Sequence, residues 1–251
     1  MLKSAWLIHN HESDSDSAPL RMFCFPYAGG GASIYRRWGQ ALWPLAELYA
    51  VQLPGREERI SQPRYYSIPK LAQALINEAF FDENQIWFSK PFVLFGHSMG
   101  AKIVFELSRR LEEMKKKPAL VIASGCLPPC FPATRRIHDL PDERFMEELR
   151  HLAGTPEEIL RDKAFMDMYR PLLRADFTMD ETYENNSVLD IPFVAIGGKN
   201  DREAGVEFLD DWKRLTSGPF HKHSLNGDHF FIKKEERALL DIVKMELKAV
   251  A

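Results

Sequence analysis

Cross-linking, membrane insertion and nucleic-acid binding each need something this chain has little of. Its three cysteines, Cys24, Cys126 and Cys130, cannot all pair with one another. Cys126 and Cys130 stand beside prolines with three residues between them, and no second pair or suitably placed histidine completes a zinc set. No apolar run approaches the roughly 20 residues of a membrane helix. The "AWLI" of Ala5–Ile8 is likewise too short for a secretory signal. A net charge of −3 over 251 residues provides no basic field for nucleic acid or an anionic membrane. The glycines at 29–31 belong to neither G-x-x-x-x-G-K-[ST] nor G-x-G-x-x-G, which removes the phosphate-cradling reading. Repeats are missing, and the serine/aspartate run in "HNHESDSDSAP" is the one biased segment. Residues 1–20 are therefore read as a mobile leader, and the reducing cytoplasm as the setting.

What remains is ordinary globular composition, 45% apolar and 27% charged, arranged as strands alternating with helices. "RMFCF", "ELYAVQL", "PFVLF", "ALVIAS", "IPFVAIGG" and "FHKHSL" read as strands. Helices are expected through "SIYRRWGQAL", over about Ile68–Phe81, Met99–Met114 and Ala204–Leu215, and over Lys234–Leu247. The alternation predicts one α/β domain spanning 1–251, with a mostly parallel central sheet flanked by helices. From about 128 to 186 only helical patterns occur, and this block reads as a lid inserted at the sheet's C-terminal edge. Within it Thr155 is a candidate cap for a helix carrying Pro156 in its first turn, and a break or kink is expected near Pro171.

The chemistry concentrates at Gly96-His97-Ser98-Met99-Gly100, a G-x-S-x-G pattern. The pattern alone is weak, but a buried strand leads in and an amphipathic helix leads out, which is what a nucleophile elbow needs. Ser98 is the candidate nucleophile, and a serine hydroxyl requires a base to take its proton. Of eight histidines, His229 in "NGDHFFI" follows the last strand and precedes the last helix. His221 and His223 fall within a strand and are expected to be exposed, while His138 and His151 belong to the helical block. The chain order serine, acid, histidine selects Asp201 at the end of "IPFVAIGGKND". Asp228 adjoins His229, but neighbouring side chains on extended backbone diverge; Asp190 precedes its strand and lies at the wrong end. An oxyanion hole would use the amide of Met99 and one from "FPYAGGGAS", with Ala28 preferred and Tyr27 next, Tyr27 also being a candidate substrate contact.

With these motifs assembled, the chain resembles the type II thioesterases that accompany nonribosomal peptide and polyketide synthases. The resemblance rests on "FCFPYAGGGAS", "LPGREER", "FGHSMGAKIVFEL", "PLLRADF" followed by "ETY", "IPFVAIGGKND" and "GDHFFI". It implies an α/β-hydrolase fold with a Ser98–His229–Asp201 triad and oxyanion amides at Ala28 and Met99. It also implies hydrolysis of acyl or aminoacyl thioesters held on the phosphopantetheine arm of a carrier protein. No bound cofactor or metal is expected, the carrier is a transient partner, and the enzyme is expected to be monomeric. "LPGREER", with Arg56, is read as a structural loop near the site. Asp228 departs from the glycine usual before the catalytic histidine, leaving open whether it lifts the imidazole's pKa or faces solvent. A general esterase or lipase, a medium-chain fatty acyl thioesterase and a non-catalytic binding protein remain as alternatives.

Overall fold

A computed structural model describes residues 4–9, 18–80, 86–152 and 154–251. Seven strands form one sheet: β1 (Leu7–His9), β2 (Leu20–Phe25), β3 (Ala46–Val51), β4 (Phe92–His97), β5 (Leu120–Ser124), β6 (Phe193–Gly198) and β7 (Phe220–Leu225). Their order across the sheet is β1-β3-β2-β4-β5-β6-β7. All neighbours run parallel except β1, which pairs antiparallel with β3. Helices cover both faces, so strands β2 to β6 are buried on both sides and alternate between two cores, while the edge strand β7 is largely exposed. On β4, Phe92 and Leu94 join the core beneath α2 (Ile68–Ala74) and α3 (Met99–Glu113). Val93 and Phe95 face the opposite core, under α1 (Trp38–Leu42) and the last helix.

Three elements differ from the sequence reading. The sheet begins at Leu7, inside the stretch read as leader. Trp6 and Leu7 are buried there, the Trp6 carbonyl accepts the Gln52 amide, and the Arg59 guanidinium lies over the Trp6 ring. A three-residue edge strand is too short to show alternation, and the serine/aspartate run after it, residues 10–17, lies outside the described residues. The helix expected through "SIYRRWGQAL" divides into a 3-10 turn at Ala32–Tyr35 and α1. That expected over Ala204–Leu215 is a 3-10 helix, Val206–Leu215.

The helical block between β5 and β6 contains α4 (Asp142–Leu152), α5 (Glu157–Arg161) and α6 (Lys163–Thr182). Helix α5 starts beyond Pro156 without a side-chain cap, and α6 runs unbroken through Pro171. Asp162 caps α6 by accepting the Phe165 amide at 3.0 Å. These helices share a small core of their own, built on Phe145, Leu149, Leu160, Met166 and Leu173. The final helical stretch comprises α7 (Phe231–Lys234) and α8 (Glu236–Lys248).

Candidate active site

The turn from β4 into α3 leaves no room for side chains on either side of Ser98. A Cβ on Gly96 would lie 2.1 Å from the Gly100 carbonyl oxygen, and one on Gly100 would lie 2.3 Å from that of Phe25. Ser98 itself has φ 53° and ψ −123°, a strained conformation for a residue with a side chain. Such strain persists where surrounding structure over-determines it, and here it directs the Ser98 hydroxyl above the strand ends.

His229 arrives on the loop after β7 and Asp201 on the loop after β6, as the chain order anticipates. The imidazole Nε2 is 2.9 Å from Ser98 Oγ, and its Nδ1 is 2.9 Å from Asp201 Oδ2. The second carboxylate oxygen, Oδ1, accepts the amides of Glu203 (2.8 Å) and Ala204 (3.0 Å). Because Asp201 as a carboxylate only accepts, Nδ1 carries a proton and Nε2 is left to receive one from the hydroxyl. Burial disfavours the His229 cation, but the bond to Asp201 and its negative charge outweigh burial and hold the pKa above the usual 6.5. Burial likewise opposes ionisation of Asp201, and the His229 bond overcomes it, keeping that pKa below its ordinary value.

Sequence reasoning passed over His97 because it precedes Ser98, yet it contributes to the site. It is fully buried, with Nε2 2.9 Å from the His229 carbonyl oxygen and Nδ1 2.9 Å from Ser124 Oγ. A carbonyl only accepts, so Nε2 donates and Nδ1 accepts from the Ser124 hydroxyl. Burial, with the neighbouring His229 charge, lowers its pKa to about 3 and keeps the ring neutral. Nothing in the sequence linked His97 to His229, since the contact joins residues 132 apart.

Asp228 settles on the solvent side: it bonds Lys234 Nζ at 2.5 Å and accepts the Phe230 amide at 3.0 Å. The salt link and amide hold its own pKa down. His221 is exposed as expected and His223 half-buried, and the two share the Glu246 carboxylate, at 2.9 and 2.6 Å. His138 bonds Glu181 within the helical block. Among the described residues, no set of three or more histidine, cysteine, aspartate or glutamate side chains converges as metal ligands.

Ser98 and His229 open onto a cavity of about 240 Å³ roofed by the helical block, including Leu149, Ile159, Phe165 and Phe177. A smaller space of about 80 Å³ also borders Ser98 and His229, with Lys102, Arg135, Asp180 and Glu203 among the residues around it. Ala28 and Tyr27 border the larger cavity. Among the described residues, the amides of Ala28 and Met99 have no hydrogen-bond acceptor, whereas those of Gly29 and Gly30 are already engaged. Tyr27 is buried edge-on to His97 and Phe230, and burial pushes its phenol up to about 12. Arg56 is also buried and forms a bidentate pair with Asp176 of α6. The site can therefore activate a hydroxyl and accommodate an apolar group, with the Ala28 and Met99 amides left unengaged among the described residues.

A family model described as a thioesterase domain matches residues 20–247. Over 240 residues the chain is 37% identical to the gramicidin S biosynthesis protein GrsT of Aneurinibacillus migulanus, covering 94% of this chain and 92% of that one. The solved structure of BorB, the type II thioesterase from the borrelidin biosynthetic cluster, matches with a TM-score of 0.83 at 31% identity, covering 98% of this chain and 100% of BorB. YbtT, the type II thioesterase from the yersiniabactin NRPS/PKS pathway, matches with a TM-score of 0.87 at 29% identity, covering 98% and 99% of the two chains.

Proposed function

The chain belongs to the thioesterase family, and from that premise we propose that it is a stand-alone type II thioesterase using Ser98, His229 and Asp201 as its catalytic triad. The substrates are acyl or aminoacyl thioesters on the phosphopantetheine arm of carrier proteins in a nonribosomal peptide or polyketide synthase. The observation that carries this reading is the continuous hydrogen-bonded path from Ser98 through His229 to Asp201, opening onto an apolar cavity.

In the first step His229 Nε2 takes the Ser98 proton as Oγ attacks the thioester carbonyl carbon. Negative charge developing on the carbonyl oxygen is received by the amides of Met99 and Ala28. As the carbon–sulfur bond breaks, the imidazolium returns its proton to the leaving thiolate, and the acyl group remains as an ester on Ser98. Water then enters, His229 removes its proton, and a second tetrahedral intermediate collapses to carboxylic acid and free Ser98. Asp201 keeps Nδ1 protonated and stabilises the cation at each stage.

The helical block acts as a lid, with α4 and α5 shaping the space for the acyl group. The chemistry needs no bound cofactor; the carrier is a transient partner, and the chain works as a cytoplasmic monomer. Among the described residues, no helix is long and apolar enough to cross a membrane.

The direct test is release of acyl groups from loaded carrier proteins, compared with hydrolysis of oxygen esters carrying the same acyl group. The reading predicts preferential release from the carrier thioesters. Hydrolysis of the oxygen esters alone would make the protein a general esterase and contradict it.

A further inference from the structure

Arg56 and Asp176, 120 residues apart, meet through two parallel bonds of 2.8 Å, Nη1 to Oδ2 and Nη2 to Oδ1. They are only 3% and 1% exposed. A buried ion pair is a poor choice for stability alone, since apolar residues of similar volume often do as well or better. The distinctive feature of this pair is its further bonds. Arg56 Nη1 also donates to the Gly30 carbonyl at 2.9 Å, and Asp176 Oδ2 also accepts the Gly29 amide at 2.7 Å. Tyr169, from the same helix as Asp176, donates its hydroxyl to the Gly29 carbonyl. Gly29 has φ +78°, and a Cβ there would lie 2.6 Å from Leu173 of α6. The loop is thus gripped by α6 on one side and Arg56 on the other.

This grip reaches the adjacent amide through covalent geometry. The Gly30 amide donates to the Tyr27 carbonyl at 2.8 Å. That carbonyl and the Ala28 N–H belong to one planar trans peptide, so fixing the first fixes the direction of the second. The Ala28 amide is the proposed oxyanion donor, and preorganised direction is what gives such a donor its effect.

We propose that the Arg56–Asp176 pair positions the oxyanion hole, holding the Ala28 amide in line through Gly29 and Gly30. Because Asp176 and Tyr169 both lie on α6, the hole is in register only while that helix is docked. The pair stabilises the transition state through the loop and does not touch the reacting atoms. This inference rests on the thioesterase reading above.

The test uses Asp176→Asn, the double variant Arg56→Met/Asp176→Leu, which leaves no orphaned charge, and Tyr169→Phe. Each is measured for kcat and KM on an acyl-pantetheine thioester and for affinity toward two ligands. One is a trifluoromethyl ketone that forms a tetrahedral adduct with Ser98; the other is an uncleavable thioether analogue of the substrate. The first two variants should lose about 10- to 100-fold in kcat, with KM and thioether affinity nearly unchanged and ketone affinity falling in parallel. Tyr169→Phe should show the same pattern more weakly. Unchanged kcat and ketone affinity in folded protein would overturn the proposal. So would a lowered Tm with kcat per folded molecule intact, or equal losses toward ketone and thioether. Wild-type protein inert toward thioesters would count against the thioesterase reading itself.

Discussion

At the residue scale, the activity should depend on pH through His229. The imidazolium cannot take the Ser98 proton, so kcat/KM should fall as pH drops through the His229 pKa. That pKa is held above 6.5 because the Asp201 bond and charge prevail over burial, which places the acid limb above 6.5. Asp201→Asn removes the charge that favours the cation and the acceptor that sets the tautomer. Its kcat should fall by about 10⁴-fold, and any remaining acid limb should move to lower pH, as read from pH–rate profiles. An acid limb unmoved in that variant would place the controlling group elsewhere. Ser98, Asp201 and His229 were legible because their order and loop positions are properties of the chain itself. Met99 is proposed as an oxyanion donor on the same kind of ground, as the residue that must follow a nucleophile. His97 and Asp176 were not, because their roles come from contacts across 132 and 120 residues that no local pattern encodes. Arg56 and Asp176 do stand inside the motifs "LPGREER" and "PLLRADF", but nothing in either says that they meet.

At the scale of the element, the β4–α3 turn makes the sharpest demand on sequence. Gly100→Ala would force its methyl against the carbonyls of Phe25 and Pro26, both backbone, so α3 must shift from β2. A cost of about 2 kcal/mol is expected from such overpacking, seen as a fall of about 4–8 °C in Tm for a chain of this size. Gly197→Ala makes an informative control. Its nearest contacts, from 3.2 Å, are the side chains of Leu209 and Val206, which can give way. Thermal unfolding of the two variants should therefore differ clearly, and equal losses would contradict the steric account. The buried parallel strands announced themselves as short apolar runs bounded by turn residues. The short or irregular elements did not. The Leu7–His9 strand offers three residues, and the 3-10 helix at Val206–Leu215 carries apolar spacing that resembles an α-helix. Likewise Pro171 alone forecast a break, yet α6 packs against both α3 and the small core of the helical block and continues through it.

At the scale of the molecule, the helical block divides into a fixed part and an outlying part. Helix α6 is tied to the sheet domain by Arg56–Asp176, by Lys102 Nζ 3.2 Å from Asp180, and by its C-cap Tyr183, whose hydroxyl donates to Glu106 at 2.9 Å. Helices α4 and α5 rest on the small core they share with α6. Acyl selectivity should accordingly follow α4 and α5 while catalysis follows α6. Ile159→Trp, on α5, should shrink the cavity and shift kcat/KM toward short acyl groups by about 10-fold or more, with the pH profile unchanged. An unaltered chain-length preference would show that α5 does not bound the acyl site. The sequence located the block as a run of helical patterns between two strands, but its division depends on ion pairs formed only on folding.

If thioester cleavage passes through an acyl group on Ser98, that species can be trapped. Protein mixed with an acyl-pantetheine thioester and quenched during the first turnover is digested and analysed by mass spectrometry. The acyl mass is expected on the peptide bearing Ser98, with neither adduct nor turnover in Ser98→Ala. Acylation at another residue, or continued hydrolysis by Ser98→Ala, would contradict this route.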